Sequence, residues 1–242
     1  MKLAVLVISQ NQAASLPFML EKLKNIPSID RYWVLDRCTD NSQDILRLEP
    51  NVIINTEGEG FLAGRMRDRG LDIILQKDYD VVVFLDGDRV PNTNISPAII
   101  EEESKNATCV LYLCYDGDIR DNPEWRLKRA RNATWLTSCG MAIQVPMLKR
   151  VRAMKHMHNR CFHPDFDGEW GLEDNFLGIN LYRIGGTFQI SKYIKVAGTL
   201  PSFPLKTSSV NQKTKYDKLC VSLGFTPVDD LRSDPVRYIN GN

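Results

Sequence analysis

Residues Val81 to Pro91 read VVVFLDGDRVP. Val81 to Leu85 is a short β-branched and aromatic run without helical period, which predicts a strand buried on both faces. The run ends in Asp86-Gly87-Asp88. Two carboxylates flanking one glycine, at the carboxyl end of a buried strand, suit a hard divalent cation and leave coordination positions open for phosphate oxygens. The same tripeptide is also ordinary turn chemistry, so its meaning depends on what the rest of the chain brings to it.

Upstream, the strand closes a regular series. Leu3 to Ile8 is an apolar strand, and Leu16, Met19, Leu20 and Leu23 recur at helical spacing between Ala14 and Leu23. Arg31 to Leu35 predicts a second strand, followed by a short helix through Leu48, and Val52 to Asn55 a third. A loop with Gly58 and Gly60 leads into a helix from about Phe61 to Gln76. Strands alternating with helices predict an α/β fold with a mostly parallel sheet and right-handed crossovers. Ligands of such sheets bind outside the carboxyl ends of the strands. Ser9 to Asn11, Asp36 to Asp40 and Asp86 to Asp88 all lie there. Asp36 is placed to accept from a base edge or to serve as turn and cap chemistry. Arg65, Arg67 and Arg69 crowd the first turns of the third helix, where cations oppose the helix dipole, so a phosphate or carboxylate partner is expected for Arg67 and a solvated face for the other two.

Downstream, Asn94 to Glu103 predicts a helix, Cys109 to Cys114 a strand, Asp116 to Asn122 a polar loop, and Thr137 to Val145 a strand closed by Pro146 at the start of the helix Met147 to Met154. A second acidic cluster follows in EWGLEDNFLG, Glu169 to Gly178. Trp170-Gly171 reads as loop, and Glu173 and Asp174 fall in the first turn of a helix that ends at Gly185-Gly186. Ile190 to Val196 is one more strand, the segment after Leu200 a loop or lid, and Tyr216 to Leu223 a short helix.

Composition bounds the rest. A chain of 242 residues, 43% hydrophobic and 25% charged, fits one globular domain. Its elements divide into a first part (1–91) ending after the DGD strand, a second (92–200) and a tail (201–242). Net charge is +1, yet Arg120 to Arg160 holds ten Lys or Arg against Asp121 and Glu124. That clustering fits a solvated basic face or a polyanionic partner. The first apolar run is too short for a signal peptide and no run reaches transmembrane length, so a cytoplasmic location is expected. The six cysteines form no CxxC pair and no zinc pattern with the three histidines, and are expected to be free thiols.

Taken together, these stretches resemble the GT-A glycosyltransferases, closest to the large family 2 of mostly inverting nucleotide-sugar transferases. The resemblance covers roughly residues 1 to 190. VISQNQAASLPFMLEKL resembles the family's opening strand, Asn and helix, with Asn11 at the Asn; VLDRCTDNS resembles its VVDDGSTDNT segment, one residue shorter. GRMRDRGL resembles its A-R-N-x-G helix, with Arg67 and Gly70 matched and Asp68 in place of the Asn. FLDGD matches its DxD strand, SCGMAIQV resembles its sugar-subsite segment, and WGLEDNFLGINLYRIGG matches its G-x-E-D-x-x-L-G-x-x-L motif.

The resemblance implies a GT-A fold and a donor site formed by Asn11, Asp36, Arg67, Asp86, Gly87, Asp88, Trp170 and Gly171. Asp36 would contact the base, usually uracil, while Asp86 and Asp88 handle ribose, diphosphate and a divalent cation, Mn²⁺ or Mg²⁺. Asp174 would be the general base, with Glu173 beside it on an acceptor or sugar hydroxyl. Many relatives add a metal-ligating histidine after the E-D pair, whereas His156, His158 and His163 all precede it here. The expected partners are a UDP-sugar donor and an acceptor glycan, glycoconjugate or DNA bearing hydroxymethyl bases. Two alternatives stand beside this reading. A sugar nucleotidyltransferase would want a glycine-rich loop with a basic residue after the first strand, where Ser9-Gln10-Asn11-Gln12 stands. An inactive GT-A-like binding protein is the other.

Overall fold

The computed structural model describes residues 1–24, 26, 28–91, 95–115, 140–198 and 210–224, with backbone alone at 113–115 and 192. Its strands are β1 (Leu3–Ser9), β2 (Ile29–Asp36), β3 (Val52–Asn55), β4 (Val81–Asp86), β5 (Arg89–Pro91), β6 (Cys109–Tyr115), β7 (Gly140–Gln144) and β8 (Phe188–Gly198). They form one eight-stranded sheet in the order β3-β2-β1-β4-β7-β6-β8-β5. The pairs β1–β2, β1–β4, β2–β3 and β6–β8 are parallel. β7 is antiparallel to β4 and β6, and β5 to β8. The helices are α1 (Leu16–Lys24), α2 (Ser42–Ile45), α3 (Ala63–Ile74), α4 (Pro97–Asn106), α5 (Val145–Arg152), α6 (Glu173–Arg183) and α7 (Val210–Ser222).

Side chains alternate across a strand, so a sheet covered on both faces needs apolar residues at every position. β1 obeys this. Ala4 and Leu6 point into a core shared with Met66, Leu71 and Ile74 of α3, Leu148 and Val151 of α5, and Phe176 and Leu177 of α6. Leu3, Val5 and Val7 point into the opposite core, against Leu16, Met19 and Leu23 of α1 and Ile100 of α4. The chain leaves β1 for β2 on one side and returns through α3 to β4 on the other. This reversal puts the ends of β1 and β4 at the crevice where open α/β sheets bind ligands.

Most expected elements are present, with ends shifted by a few residues. Three differ more. The helix expected at Met147–Met154 starts at Val145, since Pro146 sits comfortably in a first turn. The last helix starts at Val210, where Gln212 is buried and donates to the carbonyls of Phe166 (3.1 Å) and Glu169 (3.0 Å). β5 was not expected at all. It is three residues long and too short for any periodicity, and pairing with β8 creates it. The polar loop 116–122, residues 137–139 of the expected strand, the basic run 125–131 and the lid at 201–209 lie outside the described residues.

Helix α3 packs unusually close to β1. A Cβ at Gly70 would collide with Leu6, which is itself fully buried. In an open helix Gly→Ala stabilises by up to about 1 kcal/mol. Here Gly70→Ala should instead destabilise, by about 1–3 kcal/mol of overpacking, read as a lower midpoint in urea unfolding.

Candidate functional site

The crevice is lined by the ends of β1, β2 and β4 and by the amino-terminal turns of α3 and α6. Its centre is Arg67, which is 3% exposed. One terminal nitrogen donates to Asp86 Oδ1 at 2.7 Å, and the other to Glu173 Oε1 at 3.4 Å. The guanidinium carbon lies 5.5 Å from the centre of the Phe162 ring. A buried cation is tolerated only when paired, so Arg67 ties the DGD turn to Glu173 of the E-D pair, which lies 106 residues further along the chain from Arg67. Both partners are carboxylates, so the two nitrogens of Arg67 are taken up by these acids.

The DGD turn rests on β1. Gly87 N–H donates to the Ile8 carbonyl at 2.8 Å, and a Cβ on Gly87 would strike the Gln12 side chain and come within 2.9 Å of Ser9 Oγ. Gln12 Oε1 and Ser9 Oγ are buried oxygens without a hydrogen-bond partner. Burial, reinforced by the charge of Asp86, raises the Asp88 carboxyl above its ordinary range, with Arg89 opposing from 3.9 Å. Crowded carboxylates beside orphan oxygens form the hard-oxygen environment that suits Mn²⁺ or Mg²⁺. Asp88 with Asp86 is the pair that would hold such an ion. Among the described residues, no group of three or more His, Cys, Asp or Glu converges as a metal site.

At the end of β2, Asp36 is buried and already engaged. Its carboxylate accepts from Arg37 through Nε (2.9 Å) and a terminal nitrogen (2.6 Å), and from Asn55 Nδ2 (2.7 Å). Arg37, at φ +46°, also donates to the carbonyls of Gly58 (3.0 Å) and Gly60 (2.7 Å). A base reaching Asp36 would thus meet an Asp–Arg pair and not a bare carboxylate. Asn11, at φ +53°, accepts from the Thr39 N–H at 2.7 Å through Oδ1, joining the β1 and β2 loops.

The glycine loop before α3 meets the loop before α6. Phe61 and Gly168 exchange backbone hydrogen bonds of 3.1 and 2.8 Å. From there Trp170 is exposed, Gly171 and Leu172 have positive φ, and α6 begins with Glu173 and Asp174. Glu173 is buried, and its Oε2 has no partner. Burial, then the neighbouring Asp174, pushes its carboxyl up to about 7 against the opposing Arg67. Asp174 is half-buried, and its Oδ1 accepts the N–H of Asn175 at 2.8 Å.

Of the ten expected site residues, the structure joins Arg67, Asp86 and Glu173 directly, with Gly87 and Asp88 in the turn after Asp86 and Asp174 next to Glu173. Asn11 lies just after β1 and Asp36 at the end of β2, and Trp170 and Gly171 are in the loop before α6. The sequence reading set Ser9 and Arg37 in the loops at the strand ends without a role, and missed Gln12 under the turn, Asn55 on Asp36, and a cluster of Asp68, Arg160 and Asp167 behind α3. Only Asp68 had a visible signal, as the departure from the A-R-N-x-G pattern. Of the histidines, His163 is buried and its Nδ1 accepts the Asp165 N–H at 3.2 Å, His156 is half-buried with Nε2 2.7 Å from Asn180 Oδ1, and His158 is exposed. In the basic segment, Arg152 pairs with Asp72, Arg160 with Asp68 and Asp167, and Arg150 donates to the Ile184 carbonyl. Cys38, Cys109, Cys161 and Cys220 are free thiols. No helix among the described residues is long and apolar enough to cross a membrane.

No family model matches the chain, and no curated protein matches it. Solved structures do. S. aureus TarS 1–349 in complex with UDP-GlcNAc superposes with a TM-score of 0.62 at 14% identity, over 90% of this chain and 64% of that one. Glucosyl-3-phosphoglycerate synthase from Mycobacterium tuberculosis, in complex with Mn²⁺, UDP-glucose and phosphoglyceric acid, gives 0.58 at 14% identity, over 94% and 81%. The mannosyltransferase PcManGT from Pyrobaculum calidifontis, in complex with GDP-Man and Mn²⁺, gives 0.55 at 13% identity, over 83% and 57%. The chain spans 60% of the length of another TarS 1–349 structure and 37% of a longer TarS chain. At these identities the likeness is one of architecture: the chain has the GT-A fold of nucleotide-sugar glycosyltransferases.

Proposed function

We propose that this protein is a metal-dependent glycosyltransferase, moving a sugar from a nucleoside diphosphate donor, UDP-sugar first among them, to an acceptor hydroxyl with inversion. The observation that carries this reading is the single buried guanidinium of Arg67, which holds Asp86 of the DGD turn and Glu173 of the E-D pair on its two nitrogens. It joins a diphosphate end and an acid–base end within one crevice. The solved structures of this fold, bound to UDP-GlcNAc, to UDP-glucose with Mn²⁺ and to GDP-Man with Mn²⁺, support the donor class. The whole chain acts as one domain in this proposal, with the donor half ending at Pro91.

The chemistry follows from the residue types. A divalent cation held by Asp88 and Asp86 would neutralise the departing diphosphate. Asp174, half-buried beside Glu173, takes the proton of the acceptor hydroxyl as that oxygen attacks the anomeric carbon and the bond to the diphosphate oxygen breaks. Attack from the face opposite the leaving group inverts the centre. Glu173 offers its unpartnered Oε2 to a hydroxyl of sugar or acceptor. A second reading exchanges the two roles, because a carboxyl near 7 is tuned for general-base work at neutral pH. The acceptor is a glycan or glycoconjugate; hydroxymethylated DNA is the other candidate for a test panel.

Three measurements test this. Incubation with UDP- and GDP-sugars and Mn²⁺ should release the nucleoside diphosphate, and Asp88→Asn should abolish the metal-stimulated part while leaving thermal unfolding unchanged. Wild-type protein that binds UDP and turns over no donor would point to the inactive binding protein instead. Asp174→Asn should lower kcat on the order of a hundredfold with little change in donor affinity. The same loss confined to Glu173→Gln would assign the base to Glu173.

The third concerns pH. The folded carboxyl of Glu173 lies near 7 and the unfolded one near 4.5, so the folded state holds a proton that the unfolded state has released. Its contribution to stability is complete below 4.5 and is lost as pH rises through 7. Glu173→Gln should therefore gain in stability on wild type between pH 5 and pH 8, read as a rise in its relative urea midpoint at the higher pH.

A further inference from the structure

Helix α3 carries two adjacent buried residues of opposite charge that face in different directions. Arg67 meets Asp86 and Glu173. Asp68, 4% exposed, turns the other way and accepts three hydrogen bonds, from Arg160 Nε (2.9 Å) and from the N–H groups of Cys161 (2.8 Å) and Phe162 (3.2 Å). Arg160 then forks onto both oxygens of Asp167, at 2.7 and 2.9 Å. Asp167 is followed at once by Gly168, whose backbone pairs with Phe61 next to α3. Between that pair and α6 lie only Glu169, Trp170, Gly171 and Leu172, the last two at φ +100° and +74°.

We infer that Asp68, Arg160 and Asp167 form a positioning array for the E-D pair, an inference that rests on the transferase reading above. None of the three reaches the reacting atoms. They act by fixing the start of the 168–172 arm on the same helix that carries Arg67, so Glu173 is located twice from α3: through Arg67 directly, and through Asp68, Arg160, Asp167 and Gly168 along the chain. Asp68 stands where the resembling helices carry Asn, and an amide could not neutralise Arg160. The fork to Asp167 needs the planar, two-nitrogen geometry of Arg, which Lys does not supply.

The test uses Asp167→Asn, which replaces a partly exposed carboxylate, and Arg160→Lys, which keeps the charge and loses the fork. Steady-state transfer or donor hydrolysis is measured with UDP affinity by calorimetry and amide exchange by mass spectrometry. Both variants should lose at least tenfold in kcat, bind UDP within twofold of wild type, and exchange faster at 168–175 with β1 and β4 unchanged. A purely structural cluster would lower the melting temperature and leave kcat within twofold, which overturns the inference, as does a parallel fall in kcat and UDP affinity. Wild-type protein that turns over no nucleotide sugar defeats the transferase reading alone. Exchange then decides by itself, and unchanged protection of 168–175 in Asp167→Asn overturns the array.

Discussion

A guanidinium with 3% of its residue exposed has to be compensated where it sits, because a charge removed from water is far costlier alone than in a pair. Arg67 meets this constraint with two acids from distant parts of the chain, one closing β4 and one opening α6. Each end of the site therefore depends on α3 being in place. Leucine and methionine packing against the sheet provides the holding force, and the missing side chain of Gly70 allows the close approach to Leu6. The ion pairs then set direction.

This arrangement separates the four acids by environment. Asp86 and Glu173 are clamped by Arg67, whereas Asp88 and Asp174 each stand one or two residues beyond a clamped partner. The clamped pair gives the crevice its shape. The outer pair lies outside that clamp, Asp88 next to Gly87, which packs on Ser9 and Gln12, and Asp174 at the first turn of α6. A diphosphate group and an incoming hydroxyl would approach opposite ends of this row, as displacement at an anomeric carbon requires.

The parallel half of the sheet was legible because strands buried on both faces have to be continuously apolar, as Leu3–Ile8 and Val81–Leu85 are. The acids were legible because they close such strands or open a helix. Partner choice was hidden. Nothing in VLDRC announces that Arg37 turns back onto Asp36, since the φ of +46° that permits it is set by the loop carbonyls of Gly58 and Gly60. β5 escaped because three residues have no period, and the early start of α7 because Gln212 is polar and reads as exposed until its carbonyl partners are known. His163 packs edge-on to Phe166 and Phe176, a placement that its position in the sequence did not announce.

The basic segment shows how charge counted along a chain differs from charge presented to a partner. A cation paired with an acid a few ångström away looks from a Debye length's distance like a dipole, and contributes little to steering. Arg152 and Arg160 are of this kind, and Arg150 is directed at a backbone carbonyl. In the described part of the segment, Lys149, Arg150 and Lys155 are the exposed cations outside such ion pairs. The charge that this described part presents to a partner is therefore smaller than the count along the chain.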